Sequence, residues 1–373
     1  MEAGTGPPVK KVGDGAPRRG EDPERSFQWY TPKKRRATIY EDVTIDTQPS
    51  VHRHIQDGRG WPVHFEDGRG LWSEDSTRLR ASDWYDFRDP GQMWERPYYQ
   101  TGTANEQLIE GAVRTAKRER AFDDFTPEWV DFLRKHLQVP AFIEHGIWLA
   151  LASAARDTLS DTVTHCVALE AAMKQRQAQA YLLYGMDLEE QFGDFPVERA
   201  RESFLSDDVW QPARSYVERL RATPDWGERV IAANLCFEPA VGLLVRRELL
   251  MRSVRFNGDI LTQALSHVAQ LEWEWVEGWT AELVRFVLAD PEHGDPNRDV
   301  LAGWLAEWLP LADQAATALE PVFDDLPAGI PFHDARANVR IDFDALCDEC
   351  GVTGLLATTG GTNDEARAIS EGR

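Results

Sequence analysis

The sequence lacks three patterns that would place a protein outside the cell or in a membrane. Its four cysteines in 373 residues are too few for a disulfide framework. Its longest apolar stretch, near 147–155, is about ten residues, roughly half of a bilayer span. The N-terminus contains no apolar segment of the kind that a secretory signal needs. We therefore expect a cytoplasmic protein with no membrane attachment.

Basic residues are also in deficit, which weighs against two further classes of partner. The chain has 41 Lys and Arg against 63 Asp and Glu, a formal net charge of −22. A general nucleic-acid binder or a protein held on anionic lipid needs a basic surface instead. The deficit is uneven, because residues 1–36 carry +4 and the rest of the chain carries −26. We expect neither a nucleic acid nor a membrane as a partner.

The N-terminal segment is basic and poor in apolar side chains. Residues 1–27 consist mainly of Gly, Pro and charged residues. We expect them to be disordered, because they cannot bury enough surface to offset the entropy of ordering. A basic cluster follows, formed by Lys33, Lys34, Arg35 and Arg36. This cluster either stays solvated or lies against an acidic surface of a partner.

An irregular, aromatic-rich segment occupies residues 28–100. It holds five tryptophans but no sustained helical period, and Gly and Pro interrupt it throughout. A near-repeat that starts at His54 and again at His64 places two Asp-Gly turns in succession. Large aromatic side chains in a segment without its own core must be buried elsewhere. We predict an extended arm that packs on the body of this chain or on another chain.

From residue 101 to 345 apolar residues recur every three or four positions, which predicts an all-α body. The pattern is clearest over 258–289, and no alternating β pattern of any length interrupts it. The predicted helices are 104–121, 127–137, 141–157, 160–188, 196–206, 208–222, 226–254, 258–289 and 297–321. Helices of about thirty residues favour a long bundle. Residues 346–373 are predicted to form a loose tail.

A long helical bundle raises the question of a di-iron site. Such sites take a Glu from each of two helices and a Glu-x-x-His pair from each of two others. None of the nine histidines has Glu three positions before it. Four glutamates do lie in four long predicted helices: Glu144, Glu170, Glu238 and Glu274. We expect no metal, cofactor or catalytic residue in this chain, and glutamates that are solvated or paired with arginine at the bundle surface.

The remaining motifs are weaker. Cys347 and Cys350 have the spacing of half a zinc site, but the sequence has no second Cys-x-x-Cys. It contains neither a phosphate-binding Gly-rich loop nor a Gly-x-Ser-x-Gly elbow. Two alternatives stay open from the residues alone. One is a catalytic ferritin-like carboxylate metalloprotein that uses the four glutamates as an atypical ligand set, and the other is a free-standing helical interaction protein.

One stretch of the arm carries a family resemblance. Residues 84–99 have the sequence WYDFRDPGQMWERPYY, and a helical body without Glu-x-x-His follows them. Over about residues 28–345 the chain resembles the small (β) subunit of the hydroxylase component of soluble di-iron monooxygenases, most of all the propane branch. The resemblance implies an all-α, ferritin-like long helical bundle of the ribonucleotide-reductase type, preceded by the extended arm.

The resemblance also implies a set of partners. In that family the di-iron centre lies in the large (α) subunit, and small subunits associate with it and with each other in an α2β2 hydroxylase. A coupling protein regulates the iron site, and a reductase with flavin and iron–sulfur groups supplies electrons from NADH. The family thus implies a non-catalytic subunit that scaffolds the O2-dependent hydroxylation of propane or a similar small alkane, ketone or phenol.

The resemblance implies no catalytic residue in this chain. It does imply that the arm contributes to an interface with another subunit. The candidate interface residues are Trp61, Trp72, Trp84, Arg88, Tyr98 and Tyr99. Aromatic residues and arginine are enriched at the centres of protein interfaces. The alternative for each aromatic side chain is packing against the chain's own bundle.

Overall fold

The computed structural model describes residues 30–34, 36–45 and 73–359. The predicted tail at 1–27, the near-repeat at 54–72 and the side chains of Trp61 and Trp72 lie outside these residues. Within them the chain is helical and no strand occurs. The all-α prediction is confirmed.

Thirteen α-helices are found in the described part of the chain. They are α1 (Ile39–Thr44), α2 (Glu95–Glu119), α3 (Pro127–His136), α4 (Pro140–Ala155), α5 (Asp161–Phe192), α6 (Val197–Ser206), α7 (Gln211–Ala222), α8 (Trp226–Ile231), α9 (Leu261–Leu288), α10 (Gly294–Thr317), α11 (Glu320–Asp324), α12 (Phe332–Cys350) and α13 (Thr353–Thr359). After α8 the chain continues as two π-helical stretches, Ala232–Gly242 and Leu244–Met251. The predicted helix at 226–254 is therefore present, but most of it has the wider π hydrogen-bonding pattern.

The boundaries of several helices follow from local chemistry. Thr126 caps α3 by accepting a hydrogen bond from the backbone N–H of Trp129, and Pro127 occupies the first helical position, as the sequence indicates. Ser160 caps α5 in the same way, by accepting a bond from the N–H of Val163. At the other end of α5, Gly193 adopts a φ of 65°, a conformation that favours glycine.

The bundle is organised around α4, α5, α9 and the π-helical stretches. Helix α4 lies along α5, α9 packs on α5, and α10 packs on the stretch Ala232–Gly242. Six tryptophans are fully enclosed within this body: Trp129, Trp210, Trp226, Trp279, Trp304 and Trp308. Large buried aromatics of this kind supply much of the apolar area that stabilises a helical core.

The described part of the arm is attached to the chain's own body. Trp84 contacts the rings of Trp226 and Phe286, and Phe87 also contacts Phe286. The carboxylate of Asp89 accepts a hydrogen bond of 2.9 Å from Nε1 of Trp275 in α9. These contacts fix the start of α2, which begins at Glu95 and not after residue 100.

The C-terminal region corrects a prediction. Residues from 346 onward were expected to be loose, but α12 runs through that position to Cys350, and α13 follows. Leu346 and Cys350 are buried, and the fully buried carboxylate of Glu248 accepts a hydrogen bond of 2.9 Å from Asn338 in α12. The apolar residues of α12 are widely spaced among acidic ones, and the surfaces that cover them lie far away in sequence.

Candidate functional site

The four glutamates singled out by the sequence do not share one environment. Glu144, Glu170 and Glu238 are buried, and the last two have no solvent exposure at all. Glu274 lies on the exposed side of α9. The prediction of glutamates solvated or paired at the surface was therefore wrong for the first three. It failed because the sequence does not reveal which cations face them inside the bundle.

Lys174 joins two of the buried glutamates. Its ammonium Nζ lies 3.0 Å from Oε2 of Glu144 on α4 and donates a hydrogen bond to Oε1 of Glu238 in the first π-helical stretch. Nη1 of Arg246 donates to the other oxygen of Glu238 at 3.1 Å. We call Glu144, Lys174, Glu238 and Arg246 the buried ion cluster. Each of its members is at least nine-tenths buried.

Burial and mutual attraction oppose each other within the buried ion cluster. Burial disfavours the charged form of Glu238, but Lys174 and Arg246 outweigh it and hold the pKa of this carboxyl below its usual value. Burial also works against the ammonium of Lys174, and the carboxylates of Glu144 and Glu238 nonetheless raise its pKa. At Glu144 burial dominates and raises the pKa, with the charge of Lys174 acting in the opposite direction. Lys174 therefore stays charged in the interior.

Glu170 lies beside the cluster and has a different partner. It precedes Lys174 by one turn of α5, and its Oε2 accepts a hydrogen bond of 2.9 Å from Nδ2 of Asn234. The same amide nitrogen donates to Oγ1 of Thr280 at 3.0 Å. Burial raises the pKa of Glu170 to about 8, so its proton is held through neutral pH. Its Oε1 has no hydrogen-bond partner.

The π-helical backbone and one glycine make room for the cluster. A Cβ placed on Gly242 would overlap the carboxylate of Glu238, which lies one turn before it. Gly242 is thus required by a close approach and not by an unusual backbone angle. Beside the cluster is a cavity of about 10 Å³, lined in part by Glu144, Tyr181 and Arg246. This volume holds about one water molecule at most.

The interior does not fit a di-iron centre. Histidines that could act as ligands lie elsewhere: His145 and His267 are exposed, and His165 contacts Glu95 at 3.1 Å. In the described ranges no group of three or more His, Cys, Asp or Glu side chains is arranged to hold a metal ion. Where carboxylates from different helices meet, the intervening group is the ammonium of Lys174. The residues present therefore supply a fixed cation in place of a ligand set.

The sequence reasoning missed Glu272, a buried carboxylate on α9. Glu272 accepts a hydrogen bond of 2.7 Å from Nε2 of Gln177 and pairs with Arg176, both on α5. The phase of α9 could have identified it, because Glu272 follows the buried Val268 by four positions. Glu274 is two positions out of that phase and faces solvent.

The predicted interface residues fall into three groups. Trp84 is buried within this chain, and Arg88 forms an ion pair of 3.1 Å with the buried Glu41 of α1. Tyr98 is half-buried at the start of α2, whereas Tyr99 beside it is 67% exposed. Trp61 and Trp72 lie outside the described residues. The contacts of Trp84 and Arg88 are intramolecular, so Tyr99 is the most exposed of the four members of the set that the structure describes.

The cysteine pair has the environment of a core element. Cys347 and Cys350 are both free and buried, one turn apart on the inner side of α12. Burial raises the pKa of each thiol to about 12, which keeps both protonated. Among the described residues the two cysteines belong to no group of three or more side chains that could hold a metal ion.

Two further observations concern the outer surface of the described region. None of its helices combines the length and the apolarity that a membrane crossing requires. Helix α2, although 25 residues long, buries only Asn105 and Ala116. A helix so lightly packed on its own chain has most of its surface available to another molecule.

Sequence comparison places these features in a family. A family model described as methane/phenol/alkene hydroxylase matches residues 61–291. The small subunit of the propane 2-monooxygenase hydroxylase component from Rhodococcus jostii is 35% identical, over 87% of this chain and 86% of the relative. The beta chain of methane monooxygenase component A from Methylococcus capsulatus is 28% identical, over 80% of this chain and 79% of the relative.

A solved structure supports the fold. A chain of phenol hydroxylase from Pseudomonas sp. OX1 superimposes with a TM-score of 0.72, covering 84% of this chain and 90% of that one, at 19% sequence identity. The ferritin-like bundle predicted from the sequence is confirmed. At this level of identity the likeness concerns the fold alone.

Proposed function

The chain belongs to the methane, phenol and alkene hydroxylase family, as a small-subunit homologue of multicomponent monooxygenases, and we propose that it serves the hydroxylation of propane or a similar small alkane, ketone or phenol. In this proposal it is the metal-free scaffold of the hydroxylase and supplies no reacting group. The identity to propane 2-monooxygenase small subunits, 34–35% in four of them, favours a short alkane as the substrate.

The observation that carries the scaffold role is the position of Lys174. Its ammonium lies between the carboxylates of Glu144 and Glu238 and pairs with both, whereas a ferritin-like metal site holds metal ions between its carboxylates. A protonated lysine in this place excludes a second cation by charge and by volume. In this proposal the chain has the helical bundle of its family but binds no iron, and its role is to associate with the other subunits of the hydroxylase.

The partners that we propose follow from the scaffold role of this chain, because another subunit must then bind the iron. The di-iron centre belongs to a large subunit, with which this chain forms an α2β2 hydroxylase that includes contacts between the two small subunits. A coupling protein and an NADH-dependent reductase with flavin and iron–sulfur groups complete the system in the cytoplasm. The exposed surface of α2, with Tyr99 at its start, is the described surface best suited to the large subunit, because it lies open and carries an exposed aromatic residue.

The test combines metal analysis with reconstitution. The chain is expressed alone and together with a hydroxylase large subunit, and both preparations are analysed for iron and for NADH-dependent propane oxidation. We expect no stoichiometric iron and no activity in the isolated chain, and both in the complex after the coupling protein and reductase are added. Two irons per isolated chain would overturn the scaffold role, and a chain that never co-purifies with the large subunit would overturn the partnership.

A pair of variants addresses the alternative of a catalytic carboxylate site in this chain. Glu144→Ala and Glu238→Ala are introduced into the complex, and those preparations that assemble are compared per assembled complex. We expect the iron content to be unchanged. Loss of iron from an intact complex would favour the alternative instead.

A further inference from the structure

A cavity of about 600 Å³ opens at the surface of the bundle between α10 and α12, and no member of the buried ion cluster lines it. We propose that this cavity is a binding site for a linear carboxylate with an apolar chain, such as a medium-chain fatty acid. The proposal goes beyond the scaffold role and does not depend on it. It rests on the size of the cavity, on the distribution of polarity along its lining and on two arginines at its mouth.

Three elements form the cavity. Helices α10 and α12 each pack on the first π-helical stretch, Ala232–Gly242, which forms the floor while the two helices form the walls. The volume lies within the range of about 300–1,000 Å³ that small-molecule sites occupy. The fold therefore provides a site of ordinary size for a small ligand.

The lining changes from apolar at the floor to charged at the mouth. The inner lining consists of side chains with little or no solvent exposure: Cys236, Leu305, Ala312, Val339 and Phe343. The charged members of the lining stand at positions that reach solvent: Asp313, Arg336 and Arg340. An elongated ligand with an apolar chain and a charged head matches this order, because its chain is buried while its head stays at the mouth.

The arginines at the mouth determine the charge of the head group. Arg336 and Arg340 are one turn apart on α12, so they lie on the same side of the helix. Nη2 of Arg336 pairs with Asp313 of α10, and Nε of Arg340 donates to Asp344 at 2.8 Å. Each guanidinium has five N–H donors, so these contacts leave donors on both arginines for a ligand carboxylate. The guanidinium of Arg340 also lies 5.3 Å from the ring centroid of Phe343, which places it against the apolar lining.

The aspartates beside these arginines do not prevent the binding of a ligand carboxylate. The side chains of Asp313 and Asp344 are 68% and 55% exposed. Ion pairs at such exposed positions contribute little stability, because water screens them. A ligand whose chain is buried gains the hydrophobic term in addition, so its carboxylate can share or displace the aspartates.

The first experiment titrates the full-length chain with hexanoate, octanoate and decanoate by isothermal titration calorimetry. We expect one ligand per chain and about ten-fold tighter binding for every two methylenes added, because each buried methylene adds transfer free energy. Decanol lacks the charge and decyltrimethylammonium has the opposite charge, so both should bind at least about ten-fold more weakly than decanoate. A series without length dependence, or decanol that binds as tightly as decanoate, would overturn the proposal.

The second experiment places the ligand in the cavity with variants at exposed positions. Arg340→Gln removes one guanidinium and should weaken decanoate at least about ten-fold while leaving decanol unchanged. Ala306→Phe adds a ring to the wall and should weaken both ligands, because it occupies the space of the chain. The matched control is Arg219→Gln, since Arg219 also pairs with an exposed carboxylate, Glu307 of α10, but does not line the cavity.

Each outcome of the variant series decides for or against the site. Circular dichroism establishes that the variants fold, and the length series on the wild-type chain tests the proposal without any variant. Unchanged decanoate binding in folded Arg340→Gln or Ala306→Phe, or equal weakening by Arg219→Gln, would overturn the assignment. The same titration is repeated on the chain assembled with the large subunit, where decanoate should still bind. Loss of binding on assembly would show that another subunit covers the cavity, and the proposal would fail.

Discussion

Oε2 of Glu144 and Nζ of Lys174 lie 3.0 Å apart on the neighbouring helices α4 and α5, with both side chains at least nine-tenths buried. A lysine this deep in a core is held in its charged form only by the carboxylates that face it. The packing of the two helices therefore depends on the balance of charges between them. A change to any member of the buried ion cluster should lower the free energy of unfolding.

The first prediction concerns Glu238. Glu238→Ala leaves Lys174 and Arg246 buried without their shared carboxylate, and we expect a loss of about 3–5 kcal/mol in the free energy of unfolding. The control is Glu274→Ala on the exposed face of α9, which should change the same quantity by less than about 0.5 kcal/mol. Urea denaturation of the isolated chain measures both. Equal effects of the two substitutions would contradict the structure.

The second prediction concerns the space around the same carboxylate. Gly242→Ala places a methyl group where the Glu238 carboxylate lies, and we expect a loss of about 1–3 kcal/mol as the cluster is displaced. Gly303→Ala in α10 has open space around its added Cβ and should stabilise the helix by about 0.5–1 kcal/mol. A Gly242→Ala chain as stable as wild type would show that the carboxylate can move aside without cost.

The third prediction is a pH dependence that comes from Glu170. Its folded-state pKa is raised from 4.5 to about 8, so the folded chain retains a proton that the unfolded chain has lost. The stability contributed by this group is complete below about pH 4.5 and declines as the pH rises to about 8, by at most about 1.4 kcal/mol per pH unit. Glu170→Gln, which keeps a neutral side chain at all pH values, should flatten this part of the profile. Urea denaturation at several pH values from about 5 to about 8 measures the slope. Parallel profiles for the two proteins would refute the assignment.

The fourth prediction separates folding from association in the arm. Trp84→Ala removes a ring that packs on Trp226 and Phe286, and should destabilise the isolated chain by about 3–5 kcal/mol. Tyr99→Ala changes a side chain that is 67% exposed and should leave that stability within about 0.5 kcal/mol. It should instead weaken binding to the large subunit by about 2 kcal/mol or more, as titration calorimetry would measure. Unchanged binding by Tyr99→Ala would remove this residue from the proposed interface.

The fifth prediction concerns the basic N-terminal segment. Residues 1–36 carry +4 in a chain of net charge −22, and we expect the cluster Lys33–Arg36 to lie against an acidic surface in the complex. High salt should then loosen the assembly of the wild-type chain by screening this attraction. A chain lacking residues 1–36, and a full-length chain with Gln at the four basic positions, should both show a weaker salt dependence. Identical salt profiles would mean that the cluster stays solvated.

Much of the fold could be predicted because it is encoded locally. The apolar period of α9, the Thr126 cap of α3 and the order of the long helices are all properties of neighbouring residues. Helix α12 was not predicted because its apolar residues are sparse and its contacts are made with residues distant in sequence. One example is the hydrogen bond from Asn338 to Glu248. The π-helical stretches escaped for the same reason, since backbone hydrogen-bonding register depends on what the side chains pack against.

The sequence by itself determined the all-α class, the family, the lack of Glu-x-x-His and the glutamates worth inspecting. Only the tertiary structure decided what those glutamates do. It buried three of them, left Glu274 in solvent and brought Lys174 and Arg246 to Glu238. The physical reason is that a charge acquires its role from the groups within a few ångströms of it. Here two of those groups lie 64 and eight positions away along the chain, a separation that no local pattern records.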